Sequence, residues 1–298
     1  MSDTGVKSPL LVVGDALLDR DLTGRSDRLA PDAPVPVVDD CAETTRPGGA
    51  ALTAYLAARD GREVTLVTAL GGDPASRELK RLLRPWVEIV PQPLPEKTRV
   101  LAGDRPVARL DRGDGRARTA TDEAREAVLG APAVLVSDYG RGTADALRDV
   151  LTARPPPHWD PHPPGAPPVP GTRLVTPAEK EALALAPDAG PGRRDLHAAA
   201  HGAATLVRRW KAAAVAVTLG ARGALLSYGD HPLLVPAGAV HHGDTCGAGD
   251  RFAATAAGLL ADGALVGEAV ERAGGAATRG GGAGGAGGHP PPPPAPTP

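Results

Sequence analysis

The chain has 298 residues, 42 % of them hydrophobic, enough for the core of one larger α/β domain. With one Phe, one Met and three Trp, that core has to be built from Ala, Val and Leu. A net charge of −2 gives no bulk field for nucleic acid or a membrane surface. Two distant cysteines, Cys41 and Cys246, argue against a disulfide scaffold and fit a reducing cytoplasm. Leu10 to Val13 is too short for a signal peptide, and no apolar run approaches the roughly 20 residues of a spanning helix.

In chain order, Leu10 to Val13 reads as a buried parallel strand ending at Gly14-Asp15. Asp19 to Arg46 is polar and punctuated by proline, which suits an edge strand or a lid, with Ala33 to Val38 extended. Pro47-Gly48-Gly49 predicts a turn before an Ala-rich helix over Ala50 to Arg59. A strand over Glu63 to Leu70, a helix over Ala75 to Leu83 and a short strand at Val87 to Val90 follow. Lys97 to Ala102 and Pro106 to Asp111 form an extended pair, completing a small β lid over about 19–46 and 97–111. Next come a helix over Asp122 to Leu129, a strand over Ala133 to Ser137 and a helix over Thr143 to Ala153. His158 to Pro170 reads as a Pro-rich loop around a weak Trp159-Asp160 strand end. A strand at Arg173 to Thr176, helices over Ala178 to Leu185 and Leu196 to Lys211, and a strand at Ala214 to Thr218 complete the alternation. Gly223 to Tyr228 and His231 to Pro236 predict a hairpin, and helices close the domain from Phe252 to Leu260 and from Leu265 to Ala273. Residues 280–298, rich in Gly and Pro, read as a disordered tail outside a domain of residues 1–279.

Strands alternating with helices predict a mostly parallel three-layer α/β sheet, in which ligands gather at the carboxyl ends of the strands. Asp15, Asp73, Asp138, Asp160 and Gly220 all fall at such ends. The densest chemistry lies in Gly243-Asp244-Thr245-Cys246-Gly247-Ala248-Gly249-Asp250. A Gly-rich turn entering a helix offers free N–H groups and the positive end of the helix dipole to an anion. A carboxylate at the helix start can take a proton from an attacking hydroxyl. Phosphoryl transfer needs both.

The stretch from Asp244 to Asp250 resembles the C-terminal signature of the ribokinase-like, pfkB-type carbohydrate kinases, and Pro47-Gly48-Gly49-Ala50-Ala51 resembles their N-terminal one. The resemblance runs from about Leu10 to Ala277 and implies a ribokinase-like three-layer sandwich with a small β lid. A narrower similarity, to the heptose 7-phosphate kinases and the kinase half of bifunctional ADP-heptose synthases, rests on several further segments. These are Gly14-Asp15-Ala16-Leu17-Leu18-Asp19-Arg20, Ala30 to Val38, Lys97 to Val100, Ala108 to Asp111 and Ser137-Asp138-Tyr139-Gly140-Arg141-Gly142.

That resemblance implies Asp250 as the base, with the N–H groups of Gly247, Ala248 and Gly249 holding the transferring phosphoryl group. Asp15, the Gly48-Gly49 backbone and Asp138 would hold the sugar, and Lys97, Arg99, Arg109 and Arg141 its phosphate. Thr218, Gly220, Gly223 and Thr245 would line the nucleotide, and Glu181 would hold hydrated Mg²⁺ through water. ATP is the implied donor, a sugar phosphate the acceptor, and the lid strand from Pro34 to Val38 a route to a homodimer. With no His-x-Gly-His motif in the sequence, the nucleotidyltransferase half is expected to be absent.

The chain departs from the family pattern where asparagine or a basic residue gives way to Leu52, Ala178 and His162, and where the asparagine usual near the last helix gives way to Ala273-Gly274-Gly275-Ala276-Ala277. Leu52 removes a partner for a sugar hydroxyl, and Ala178 weakens the expected grip on metal and nucleotide. The chain contains no asparagine at all, as expected of a GC-rich coding bias. Two rival expectations follow: a pfkB-type kinase acting on another sugar or sugar phosphate, and a non-catalytic homologue that only binds.

Overall fold

The computed structural model describes residues 6–84, 88–90, 96–103, 105–112, 116–187, 195–238 and 247–280. Its elements in chain order are β1 (Leu10–Gly14), β2 (Ala16–Leu29), β3 (Pro36–Gly49), α1 (Ala50–Arg59), β4 (Val64–Val67), α2 (Pro74–Leu83) and β5 (Glu88–Val90). They continue with β6 (Glu96–Ala102), β7 (Arg105–Arg112), α3 (Asp122–Gly130), β8 (Val134–Asp138), α4 (Thr143–Ala146), α5 (Arg148–Ala153) and β9 (His158–Pro161). The last are β10 (Leu174–Val175), α6 (Glu179–Leu185), α7 (Leu196–Trp210), β11 (Val215–Thr218), β12 (Ala224–Ser227), β13 (Leu233–Val235), α8 (Ala248–Ala261) and α9 (Val266–Gly280).

Nine strands form the main sheet in the order β5-β4-β1-β8-β9-β10-β11-β12-β13. Every pairing from β5 to β11 is parallel, and β12 alone is reversed, pairing antiparallel with both β11 and β13. Strand periodicity distributes β1 between two cores. Leu11 and Val13 pack with residues of α3, α5 and α7, whereas Leu10 and Val12 pack with α1, α2 and α8. The result is the expected three-layer α/β sandwich.

The core is Ala-rich where the site is built. Ala50, Ala51, Ala54 and Ala57 of α1 share one cluster with Ala253, Ala254 and Ala257 of α8. Small side chains let two helices approach closely, and this contact carries the start of α8 toward Thr53 of α1.

A second sheet has the order β3-β2-β6-β7. β2 pairs antiparallel with β3 from Ala16↔Gly49 to Leu29↔Pro36, and parallel with β6. Two sequence readings change here. Much of the polar Asp19–Arg46 stretch is long paired strand, and Pro47-Gly48-Gly49 ends β3 instead of forming a turn. The pairing runs directly into α1, with Gly49 at φ 58 as its N-cap.

Three further boundaries differ. The Trp159-Asp160 strand end is β9, a fully buried strand inside the sheet. The helix over Thr143 to Ala153 breaks at Leu147 into α4 and α5. Helix α9 continues past Ala273, through Gly274 and Gly275, to Gly280. Its buried stripe of Val266, Ala269, Val270 and Ala273 anchors it beside α8. The predicted tail beyond Gly280 lies outside the described residues.

Candidate active site

Helix α8 begins at a left-handed Gly247 with φ 82, a conformation that β-carbon sterics make costly for other residues. The first α8 turn bond runs from Arg251 N–H to the Gly247 carbonyl, so the amides of Ala248 and Gly249 precede the ladder, as an anion cradle requires. Leu52 closes one side: its Cδ2 lies 3.1 Å from where a β-carbon on Gly247 would be.

The carboxylate of Asp250 sits in the first turn. Its Oδ1 accepts from Thr53 Oγ1 at 2.9 Å and from Tyr139 OH at 3.1 Å. Burial pushes the carboxyl up to about 6; the two hydroxyls oppose that rise and the nearby charge of Asp19 adds to it. A carboxylate so placed is a competent base near neutral pH.

Beside it lies a cavity of about 160 Å³ lined by Tyr139, Asp160, His162, Glu181, Thr218 and Gly249, among others. Burial, together with the charges of Asp250 and Glu181, holds the Asp160 carboxyl well above the usual range. Asp160 Oδ1 accepts from Thr176 Oγ1 at 3.0 Å, and His158 Nε2 lies 2.8 Å from the same hydroxyl. Since Thr176 gives its proton to Asp160, His158 Nε2 is the donor to Thr176. His158 is wholly buried, and that burial lowers its pKa to about 3, which keeps it neutral.

Glu181 Oε2 accepts from the Ala178 N–H at 2.7 Å, half of a capping box whose other half an alanine cannot supply. Its Oε1 is 3.7 Å from His162 Nε2. His162 Nδ1 is 3.1 Å from the Asp138 carbonyl, which only accepts, so that nitrogen carries the hydrogen. The His162 ring stacks on Tyr139 at 3.7 Å between centroids. Among the described residues no three His, Cys, Asp or Glu side chains are grouped to hold a metal directly. Crowded carboxylates opening on one cavity do fit a hydrated divalent cation held through water, the arrangement Mg²⁺ favours.

On the other side of Asp250, β2 presents Asp19, a residue to which the sequence reading gave no role. It is buried and stands against Gly48, where an added β-carbon would lie 2.8 Å from its carboxyl carbon. Arg46 Nε is 3.6 Å from Asp19 Oδ2, and Arg46 Nη1 is 3.0 Å from Asp21 Oδ2. Arg99 Nε bonds Asp21 Oδ1 at 2.9 Å. The spacing of Asp19 from Asp15 carried no sign of which carboxylate stands against Gly48.

Asp15 is used differently from the sugar contact first expected. Its Oδ2 accepts from the N–H groups of Tyr139 at 3.1 Å and Arg141 at 2.9 Å, and its Oδ1 from Thr143 at 3.1 Å. It ties down the loop after β8. Asp138 is likewise enclosed, 2 % exposed, with Oδ1 on the Gly140 N–H and its carboxyl against Gly165. Burial raises its pKa to about 7. The structure therefore does not present either carboxylate to the cavity.

Arg99 lies on β6, occupied by Asp21, and Arg109 lies exposed on the outer strand β7. Arg141 is partly buried, and its amide serves Asp15. Thr218 lines the cavity, and Gly220 at φ 60 and Gly223 at φ 98 shape the turn after β11. A β-carbon at Gly223 would strike the Val235 carbonyl at 2.1 Å. The Lys97 side chain and all of Thr245 lie outside the described residues. Among the described residues no helix is long and apolar enough to cross a membrane.

Residues 156–284 match the model of the pfkB family carbohydrate kinases. Over 91 % of its length the chain is 74 % identical to the bifunctional protein HldE of Streptomyces coelicolor, of which it spans 59 %. It is 35 % identical over 86 % of its length to the bifunctional protein HldE of Azorhizobium caulinodans, spanning 57 % of that protein. The chain thus covers less than two thirds of these curated relatives. Arabidopsis thaliana ribokinase complexed with ribose and ATP superposes with a TM-score of 0.72 at 21 % identity, over 91 % of this chain and 92 % of that one. Phosphofructokinase-2 from Escherichia coli in complex with fructose-6-phosphate gives 0.70 at 19 % identity, over 92 % and 94 %. These two likenesses establish the ribokinase-like fold.

Proposed function

Because the chain carries a pfkB-type carbohydrate kinase domain, we propose that it transfers the terminal phosphoryl group of ATP to the anomeric hydroxyl of D-glycero-D-manno-heptose 7-phosphate. The product is the 1,7-bisphosphate, a step toward a nucleotide-activated heptose. The observation that carries the chemistry is the Asp250 carboxylate, half-held by two hydroxyls at the mouth of the Gly247–Gly249 turn. The choice of a heptose phosphate rests on the 74 % identity to a bifunctional HldE protein and on the segments around Ala30–Val38 and Ser137–Gly142.

Asp250 takes the proton of the acceptor hydroxyl as its oxygen bonds to the γ-phosphorus. The bond from that phosphorus to the bridging oxygen breaks, and its electron pair leaves on ADP. The amides at the start of α8 face the charge that grows on the transferring group, where such donors act most strongly. Asp19, backed by Gly48 and Arg46, orients the sugar hydroxyls. Arg99 and Arg109 on the second sheet, with Lys97 and Arg141, draw the 7-phosphate. Thr218, Gly220 and Gly223 border the nucleotide, with Thr245 assigned to the same role. A magnesium ion bound through water at Glu181 would neutralise phosphate charge. The second sheet acts as the lid over the acceptor, and its edge strand β3 pairs two copies of the chain; a molecular-mass measurement in solution tests the dimer.

Replacing Asp250 by Asn tests the reading. ADP release from wild type and D250N is compared with the heptose 7-phosphate as acceptor. Loss of roughly 10²- to 10⁴-fold in turnover is expected, the usual contribution of a general base. Unchanged turnover overturns Asp250 as the base.

A further inference from the structure

We propose that Tyr139 is a positioning residue for the base: with Thr53 it holds Oδ1 of Asp250, so that Oδ2 receives the acceptor's proton. The inference rests on the reading of Asp250 as base.

Both hydroxyls converge on a single carboxylate oxygen, at 2.9 Å from Thr53 and 3.1 Å from Tyr139. Two donors on Oδ1 leave Oδ2 the more basic atom and fix the plane of the carboxylate. Preorganisation of this kind governs how much a base contributes. Tyr139 is itself held at three points. Its N–H donates to Asp15 Oδ2 at 3.1 Å, its ring lies on His162, and its hydroxyl ends on Asp250. His162 is anchored in turn by the Asp138 carbonyl. The ring contacts alone would be met by phenylalanine; only the hydroxyl requires tyrosine.

The phenol stays a donor throughout the working pH range. Burial, with the charges of Asp250, Asp160 and Glu181, pushes its pKa well above the ordinary value. The charged and titratable groups around Asp250 are Asp19 from β2, Asp160 from β9, Glu181 from α6 and His162 after β9. Of these, the charge of Asp19 adds to the burial that favours protonating the base. Thr53 and Tyr139 act against that, keeping the base ionised down to about pH 6.

The test is Tyr139→Phe in the full chain, measured as ADP release over pH 5 to 9. The turnover number is expected to fall about tenfold, the size of one lost hydrogen bond to a charged group. KM for either substrate should stay within roughly twofold, and the acid limb of kcat/KM should move up by about one pH unit. Thr53→Val should shift the limb in the same direction, while Thr53→Ser, which keeps the hydroxyl, recovers turnover relative to it. A wild-type turnover and acid limb in Tyr139→Phe overturns the proposal, whatever Thr53→Val does. D250N run alongside separates the two levels. An active D250N sinks the base itself, whereas an inactive D250N beside an unaltered Tyr139→Phe sinks only the role of Tyr139.

Discussion

Asp15, buried, and Asp250, partly buried, are carboxylates at the mouth of the same sheet, and their surroundings assign them opposite work. Asp15 spends its oxygens on three backbone amides of the loop after β8. Asp250 has one oxygen pinned by two side-chain hydroxyls and lines the cavity. A carboxylate saturated by backbone donors is a structural staple, whereas one held from a single side retains an oxygen for chemistry. The first should be felt in stability and the second in turnover.

Substitutions can break this division. Asp15→Ala leaves three amides short of their acceptor and should cost about 3–5 kcal/mol, lowering Tm by roughly 10 °C. Thermal unfolding followed by circular dichroism checks it. A Tm within about a degree of wild type, with only KM for the sugar raised, would return Asp15 to the sugar contact first read from the sequence.

Asp138 lies in the same enclosed region and carries a pH signature. Burial lifts its folded pKa from 3.8 to about 7, so the folded chain holds a proton that the unfolded chain releases. Its contribution to stability is complete below about pH 4 and is lost as pH rises through about 7. Asp138→Asn should remove that slope and stabilise the protein at pH 8 by on the order of 1–2 kcal/mol. Urea midpoints at pH 5 and pH 8 measure it, and parallel shifts in wild type and variant would contradict it.

On the catalytic side, the smallest change in stability should give a clear change in rate. An added β-carbon at Gly249 meets nothing within 4 Å. Gly249→Ala should therefore leave the fold intact, or stabilise α8 by up to about 1 kcal/mol. The methyl nonetheless intrudes on the anion cradle, so kcat should fall while Tm holds or rises. Retained kcat would mean that the phosphoryl group does not pass over Gly249.

Much of the main sheet was legible because alternating and Ala-rich patterns report burial directly. Leu10 to Val13 and Ala50 to Arg59 came out as the strand and helix read from them. The second sheet was harder, since many outer positions of β2 and β3 are exposed or polar and no apolar alternation marks them. β9 was obscured by prolines on both sides, although its backbone is central and its residues are buried. Gly247 and Asp250 stood out through local chemistry. Tyr139 was present in a quoted segment yet silent, because its role depends on a contact spanning 111 positions. Asp19 was silent for the same reason, as only the pairing of β2 with β3 sets it against Gly48.

The most direct measurement is ADP release by the purified chain with D-glycero-D-manno-heptose 7-phosphate, fructose 6-phosphate and ribose, with mass analysis of each product. Turnover with the heptose phosphate far above the other two, yielding a bisphosphate, is the predicted result. Equal or lower ADP release from the heptose phosphate would contradict the assignment.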